Sequence, residues 1–317
     1  MNMRLAFLGT PEFVIPVLSR LVKEGHEIVR VVTASAKPVG RGQKVSPAPV
    51  ARWAKKRGFK VITPEKLGRL FVKSFAAEEL DVAVVAAYGK ILPAAVLAVP
   101  KYGFLNVHPS LLPLYRGPSP VAGAMVAGEK ETGVTIMKVD EEMDHGPIGE
   151  QTKIEIQKQV TGGELTDKLF KLGAEKLVEV LRELIIGRAK WVKQNHKKAV
   201  YTRRLRREDG FLPWEWLVAA GRGEAVKKII TPPPLLKGKY EVTPKLIYNL
   251  VRGLSPWPGA WTRIVQSSKF KGQSYLRVKI LGARLDNGRL MLETVQVAGK
   301  KPVSYGQFKE VYGKLGK

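Results

Sequence analysis

The stretch RLAFLGTPEFVIPVLSRLVKEGHEIVRVVTA, residues 4–34, is the clearest indication of the fold class. It holds two short, nearly continuous apolar runs, RLAFLG and EIVRVVTA, on either side of an amphipathic segment, EFVIPVLSRLVKEG. Such apolar runs are typical of parallel strands that are buried on both faces and joined by a helix. The stretch therefore predicts a β-α-β unit.

The same alternation continues through the first two-thirds of the chain. DVAVVAAYG (residues 81–89) and GFLNVH (103–108) are strand-like, and the apolar spacing over residues 163–186 predicts a long helix. Repeated units of this kind predict an α/β fold with a doubly wound, mostly parallel, Rossmann-like sheet. A polar, basic segment follows, and short strand-like pieces such as SYLRVKILGARL (274–285) then predict a smaller C-terminal β-barrel of OB-like type. We predict domain boundaries at 1–188 and 206–317, with a linker over 189–205.

The composition limits the class of protein. Lys and Arg total 54 against 28 Asp and Glu, a net charge of +26, and residues 201–317 hold 23 basic and 8 acidic residues. This excess favours a polyanionic partner, nucleic acid ahead of a membrane surface, although solvated charged faces would also explain it. The absence of cysteine excludes disulfides and thiolate sites. No signal peptide or run of about 18 apolar residues is evident, so we expect a soluble, cytoplasmic protein.

The predicted fifth strand carries two polar side chains into NVHPSLLPLYRG, residues 106–117. Because strand side chains alternate, Asn106 and His108 face the same way. An amide donor beside an imidazole suits stabilisation of an oxyanion, formed when a nucleophile attacks a carbonyl. Alternatively, Asn106 caps the strand end and His108 fills a polar gap. The nucleotide-binding patterns G-x-G-x-x-G and G-x-x-x-x-G-K are absent, which weakens NAD and ATP as ligands.

Two further segments could contribute to a site. VDEEMDHGPIG, residues 139–149, crowds four carboxylates before a Gly-Pro turn, which suggests a general base or, alternatively, an exposed acidic turn. AAYGKILP, residues 86–93, could line an apolar slot for a flat heterocycle or belong to the core. No pair of histidines has zinc-ligand spacing, so we expect no metal site.

The order of several motifs resembles that of the methionyl-tRNA formyltransferase family over nearly the whole chain. The shared segments are FLGTPEFVIPVL, GRG followed by SPAPV, VVAAYGKILP, GFLNVHPSLLPLYRGPSP, ETGVTIMKVD, MDHGPI and LSPWPGAW. The resemblance implies a monomer that transfers a formyl group from 10-formyltetrahydrofolate to the methionine of initiator methionyl-tRNA, without a metal, for translation initiation. It implies catalytic roles for Asn106, His108 and Asp144.

The resemblance also implies two sets of binding residues. Those expected to contact the folate are Tyr88, Gly89, Ile91, Leu92, Ser110, Leu111, Leu112 and Pro113. Those expected to contact tRNA are Lys37, Arg41, Lys44, Arg203, Arg204, Arg206 and Arg207, with Arg41 reaching the terminal base pair from a glycine-containing loop over residues 33–49. The C-terminal domain is then a tRNA-binding domain. We assign no role to the segment 219–242, which is longer than expected for the family.

Three alternatives stay open on the sequence. Glycinamide ribonucleotide transformylases share the Asn/His/Asp set, and formyl transfer to a sugar nucleotide is another option, but this chain has a basic C-terminal domain that proteins of both kinds lack. A non-catalytic RNA-binding protein could retain the fold, although the intact Asn106, His108 and Asp144 favour an enzyme.

Overall fold

The computed structural model describes residues 2–40, 42–266 and 274–312. Contacts between Cα atoms divide the chain into two compact units. The first comprises Met1–Pro118, Thr132–Ile154 and Thr166–Val200; the second comprises Ser119–Glu131, Glu155–Leu165 and Tyr201–Lys317. The domain boundaries expected from the sequence stay a prediction.

Strands and helices alternate along the first part of the chain. They are β1 (Arg4–Gly9), α1 (Ile15–Lys23), β2 (Glu27–Val32), β3 (Lys37–Val39), β4 (Lys44–Ser46), α2 (Pro49–Lys55), β5 (Val61–Ile62), α3 (Arg69–Ala76), β6 (Val82–Ala86), α4 (Ala94–Leu97) and β7 (Phe104–His108). The elements that follow are α5 (Pro120–Ala127), β8 (Glu131–Lys138), β9 (Ile148–Glu155), α6 (Gly162–Ile185), α7 (Trp214–Arg222), β10 (Val226–Ile230), β11 (Tyr240–Val242), α8 (Pro244–Gly253), β12 (Ala260–Gln266), β13 (Ser274–Asp286), β14 (Arg289–Val297), β15 (Val303–Ser304) and α9 (Tyr305–Tyr312).

A mostly parallel sheet forms the centre of the first unit. Within the described residues its seven strands lie in the order β5-β2-β1-β6-β7-β8-β9. The pairs β2–β5, β1–β2, β1–β6 and β6–β7 are parallel, and β7–β8 is antiparallel. Because β2 and β6 lie on opposite sides of β1, the chain changes direction there, as in a doubly wound fold. Because β6 and β7 are parallel, the loops that follow them leave from the same edge of the sheet.

Local chemistry explains the first β-α-β unit. β1 is almost entirely buried, as expected for a central strand. Apolar residues on one face of α1, including Val17, Leu18 and Leu21, are buried. After α1, Gly25 has a φ of +82°, a left-handed conformation that glycine adopts without strain and that turns the chain into β2.

The second unit is built on antiparallel strands. Among its described residues, β12, β13, β14 and β15 form one sheet in that order, and β10 and β11 form a two-stranded ribbon. A core cluster joins α5, α7 and α8 to residues of this sheet such as Ile280 and Leu290. Together with the parallel sheet, this smaller β domain confirms the predicted fold class. The segment 219–242 contains the end of α7 and the β10–β11 ribbon.

Two predicted segments take definite forms. The long helix expected over 163–186 is α6, Gly162–Ile185. The basic loop over residues 33–49 contains the hairpin β3–β4, in which Lys37 pairs with Ser46 and Val39 with Lys44. Arg41 lies outside the described residues.

None of the helices in the described part of the chain combines the length and the apolar character that a membrane span requires.

Candidate active site

Strand β7 places Asn106 and His108 at the carboxyl edge of the parallel sheet. Leu105 and Val107, which alternate with them, are buried. Asn106 pairs with Val85 of β6, which lies near that strand's carboxyl end. The side chain of His108 is buried and that of Asn106 is partly exposed, so the amide is the more accessible of the two groups.

Asp144 joins this pair from the turn between β8 and β9. Its Oδ1 accepts a hydrogen bond from Nδ2 of Asn106 at 3.3 Å and lies 3.5 Å from Nδ1 of His108. Its Oδ2 accepts a hydrogen bond from the backbone N–H of Gly117 at 2.7 Å. The structure therefore brings the three predicted catalytic residues together, although Asn106 and Asp144 are 38 positions apart in the chain.

Both ring nitrogens of His108 face acceptors. Nδ1 faces the Asp144 carboxylate, and Nε2 lies 3.2 Å from the backbone carbonyl of Tyr115. A neutral imidazole has one N–H and can satisfy only one acceptor, whereas the protonated ring donates to both. The ring of His108 therefore lies between a carboxylate on one side and a backbone carbonyl on the other.

The loop after β7, residues 109–115, is held by internal hydrogen bonds. Ser110 is buried, and its hydroxyl donates to the carbonyl of Leu114 at 2.6 Å. The hydroxyl of Thr135 in β8 donates to the carbonyl of Ser110 at 2.6 Å and accepts from the N–H of Leu112 at 3.3 Å. Nε2 of Gln151 donates to Thr135 Oγ1 at 2.9 Å. Leu111, Pro113 and Leu114 are partly exposed, so these parts of the loop can contact a ligand.

The loop after β6 contains the other predicted folate contacts, which fall into a buried group and an exposed group. Tyr88 and Leu92 pack in the apolar cluster of the sheet with Phe104. Gly89 and Ile91 face solvent, and the Ile91 side chain is 80% exposed. Tyr88 and Leu92 are thus core residues, whereas Gly89 and Ile91 are accessible at the same sheet edge as Asn106.

The hydroxyl of Tyr88 is buried without a hydrogen-bond partner among the described residues. Burial raises the pKa of Tyr88 to about 12. The hydroxyl is therefore uncharged at neutral pH.

Two residues that the sequence did not single out lie beside the catalytic cluster. Arg116 and Gln194 are both buried, and Nη2 of Arg116 donates to Oε1 of Gln194 at 2.6 Å. Nε2 of Gln194 donates to the backbone carbonyl of Asp144 at 2.9 Å. Arg116 could have been noticed because it directly follows the SLLPLY motif. Gln194 lies in a segment without apolar periodicity, so no sequence pattern marks it.

The predicted tRNA-binding residues differ in how available their charges are. The guanidinium of Arg203 makes two hydrogen bonds to the Asp209 carboxylate, at 2.7 and 2.8 Å, so its charge is already paired. The other described members are exposed: Lys37, Lys44, Arg204, Arg206 and Arg207.

An unpredicted pair of arginines lies on β12 and β13. Arg263 and Arg277 are directly opposite in the antiparallel pair, and the guanidinium carbons lie 5.5 and 4.0 Å from the ring centroid of Trp261. The charged neighbours that affect Arg277 are Arg207 and Arg263, with no acidic group among them in the described chain, and Nε of Arg277 is buried without a hydrogen bond. Burial, followed by repulsion from Arg207 and Arg263, lowers the pKa of Arg277. Like charges directly opposite destabilise a sheet, whereas the contacts of both guanidinium groups with the Trp261 ring stabilise it.

Aromatic rings adjoin these arginines. Phe211 lies 4.8 Å from Trp261 between ring centroids and is 40% exposed. The indole N–H of Trp261 donates to the carbonyl of Arg207 at 3.2 Å. We call Arg207, Phe211, Arg263 and Arg277, together with the buried Trp261 that they contact, the arginine face.

Comparisons with known proteins identify related chains. A protein-family model described as formyl transferase matches residues 3–181. A methionyl-tRNA formyltransferase from Chloroflexus aurantiacus is 42% identical over 261 residues, which are 82% of this chain and 76% of that protein. A methionyl-tRNA formyltransferase from Roseiflexus castenholzii is 38% identical over 320 residues, with 96% of this chain and 94% of that protein covered. The second similarity therefore extends through both units.

A solved structure shares the fold. It is that of WlaRD, a sugar 3N-formyl transferase in the presence of dTDP and 5-N-formyl-THF; the TM-score is 0.59 at 17% identity, with 95% of this chain and 100% of that chain covered. Likeness at this identity concerns the fold alone. In the part of the chain that the structure describes, no group of three or more His, Cys, Asp or Glu side chains could hold a metal ion.

Proposed function

The chain belongs to the methionyl-tRNA formyltransferases, a family of formyl-transfer enzymes, and from that premise we propose that 10-formyltetrahydrofolate is its formyl donor and initiator methionyl-tRNA its acceptor. The observation that carries the proposal is the cluster of Asn106, His108 and Asp144 at the carboxyl edge of the sheet.

The proposed reaction is a direct transfer. The α-amino nitrogen of methionine attacks the formyl carbon, and the carbonyl π electrons move onto oxygen. When the oxyanion collapses, the bond between carbon and N10 breaks, N10 gains a proton and the new amide nitrogen loses one. No covalent enzyme intermediate and no metal ion take part.

Each catalytic residue has a distinct task in this scheme. The amide of Asn106 has two N–H groups, and since one donates to Asp144, the second can donate to the oxyanion. His108 supplies positive charge beside the oxyanion, and preorganised charge and donors act mainly on the transition state. Asp144 holds the imidazole in its protonated form and assists proton movement from the amine to N10.

Accessible groups at the carboxyl edge would hold the folate. We propose that Gly89, Ile91, Leu111 and Pro113 contact it directly. Tyr88, Leu92, Ser110 and Leu112 are buried, so we propose that they support the two loops from below.

Tyr88→Phe tests this division. A buried hydroxyl without a partner is destabilising, so its removal should raise the free energy of unfolding by about 1 kcal/mol and leave the KM for folate unchanged. Urea unfolding and steady-state kinetics measure the two quantities. Tyr248→Phe is the matched control, because the Tyr248 hydroxyl donates to the carbonyl of Lys158, and its loss should lower stability. A large rise in folate KM for Tyr88→Phe would instead make the hydroxyl a ligand.

The arginine face of the second unit is the proposed main tRNA surface. Guanidinium groups without acidic partners suit phosphate oxygens, and an exposed ring such as Phe211 offers a stacking surface for a base or ribose. Arg41, Lys37, Lys44, Arg204 and Arg206 are proposed as further tRNA contacts. We propose Arg203 only as a support for its neighbours, because Asp209 already pairs with it.

A direct transfer assay tests the proposed function. The full chain is supplied with 10-formyltetrahydrofolate and, separately, with initiator methionyl-tRNA, glycinamide ribonucleotide or an amino-sugar nucleotide. We expect formylation of methionyl-tRNA with the highest kcat/KM. Faster transfer to either small acceptor would overturn the proposed acceptor, and tRNA binding without any transfer would indicate a non-catalytic RNA-binding protein.

Two further expectations have their own tests. Analytical ultracentrifugation of the purified chain tests the expected monomer, and localisation in intact cells tests the expected cytoplasmic location.

A further inference from the structure

A polar segment after α6 returns to the catalytic cluster. Residues 191–200, which we call the strap, lie within the segment predicted as a linker. The N–H groups of Ile148 and Val192 each donate to the other residue's carbonyl at 2.8 Å. The N–H of Arg116 donates to the carbonyl of Val200 at 2.8 Å, and the N–H of Val200 to that of Pro113 at 3.2 Å. The strap therefore contacts the segment after β7 and the start of β9, which follows the turn that contains Asp144.

Gln194 is the buried centre of the strap. Its Nε2 donates to the carbonyls of Asp144 and Gly146 at 2.9 and 2.8 Å. Its Oε1 accepts from Nε and Nη2 of Arg116 at 3.2 and 2.6 Å. The amide thus uses both N–H groups and both lone-pair directions of its oxygen. The neighbours also determine the amide's orientation, because a reversed amide would face the guanidinium with N–H groups and the carbonyls with oxygen.

We propose that Gln194, itself oriented by Arg116, is a positioning residue that keeps the Asp144 carboxylate against Asn106 and His108; the catalytic consequence rests on the proposed function.

The turn has an uncommon backbone conformation at Asp144. Its φ of +51° lies in the left-handed region, which few residues other than glycine adopt, although Asp tolerates it better than most. Gln194 binds the carbonyls on both sides of His145, so the turn is held across the residue that follows Asp144. A displacement of about 1 Å at a catalytic group can lower the rate on the order of 10²-fold. Gln194 acts through the backbone of Asp144 and is not itself a catalytic residue.

Gln194→Glu is the sharpest test, because it keeps the size of the side chain and its contact with Arg116. The N–H groups are lost, and a carboxylate oxygen then faces two carbonyl oxygens. We expect kcat to fall by about 10- to 100-fold, with the KM for each substrate within about threefold of the wild-type value. Asn195→Asp is the matched control, since it makes the same chemical change one position later, at an exposed side chain that accepts from the N–H of Lys197. The control should retain the wild-type kcat.

A double-mutant cycle shows whether the effect passes through Asp144. In an Asp144→Asn background, Gln194→Glu should cost less than about threefold in kcat, because the charge that it positions is already gone. An equal loss in both backgrounds would overturn the proposal, since it would indicate a general structural role. A wild-type kcat for Gln194→Glu, or an equal loss in Asn195→Asp, would overturn it as well.

Amide hydrogen exchange gives a readout that does not depend on the reaction. The N–H of Gly117 donates to Oδ2 of Asp144, so its exchange rate reports the position of that carboxylate. Gln194→Glu should accelerate this exchange by about tenfold or more, and Asn195→Asp should not. Unchanged exchange would overturn the proposal, whichever acceptor the enzyme uses. Failure of the proposed function would appear only in the transfer assay and would leave the exchange result valid.

Discussion

Replacement of His108 or Asn106 by alanine is expected to lower kcat on the order of 10²- to 10³-fold, with the KM for the folate donor nearly unchanged. The reason is that these groups meet full negative charge on the formyl oxygen only in the transition state. Steady-state kinetics at saturating concentrations of both substrates measures the loss. Asp144→Asn preserves the shape of the side chain and removes its charge, so it should also lower kcat at neutral pH.

A control separates this loss from simple damage to the first unit. His26 is a second buried histidine, and its Nδ1 accepts from the N–H of Met3. His26→Gln should leave kcat within about threefold of the wild-type value, because the residue belongs to no proposed catalytic contact. A near-normal kcat for Asn106→Ala or His108→Ala would contradict the mechanism. Full activity of Asp144→Asn would show that Asp144 only supports its turn.

Replacement of both Arg263 and Arg277 by alanine is expected to weaken tRNA binding by about 10- to 100-fold. If each guanidinium contacts one phosphate, the slope of log affinity against log salt should flatten by about 1.4 to 1.8. The kcat at saturating tRNA should stay near the wild-type value, since the arginines lie outside the catalytic cluster. Fluorescence anisotropy with labelled tRNA at several salt concentrations measures the affinity and the slope.

Arg284 provides the matched control for this experiment. It is an exposed arginine of β13, but its guanidinium pairs with Asp286 at 3.2 Å and with Glu293 at 3.3 Å. Arg284→Ala should therefore change the affinity and the salt slope much less than the double variant does. If Arg284→Ala and the double variant had equal effects, tRNA affinity would depend on the total charge of the protein, and the arginine face would not be a specific tRNA-binding surface.

The full chain is the appropriate material for these measurements. A chain that ends near Ala189 looks suitable from the sequence, because the polar residues after it resemble a linker. Such a truncation would remove the strap, and with it Gln194 and the hydrogen bonds of Val192 and Val200. Loss of activity in that fragment would then report damage to the catalytic unit as well as loss of tRNA contacts.

Local patterns predicted much of the fold and part of the site. The period of apolar residues predicted α6 to within one residue at each end, because an amphipathic helix of this length repeats its pattern many times. Strand alternation predicted that Asn106 and His108 share a face, because residues two positions apart in a strand point to the same side of the sheet. Comparisons with relatives confirmed the formyltransferase family, whose resemblance had implied a role for Asp144.

Local periodicity, composition and contiguous motifs were enough to predict the order of strands and helices, the basic character of residues 201–317 and the family. They did not predict that Tyr88 is buried in the core, that Asp209 pairs with Arg203, or that Arg263 lies opposite Arg277, which only the folded chain shows. Tertiary structure alone also placed Gln194 against Asp144, 50 positions away in the chain. These contacts depend on strand register and on where distant loops meet, and local periodicity contains neither.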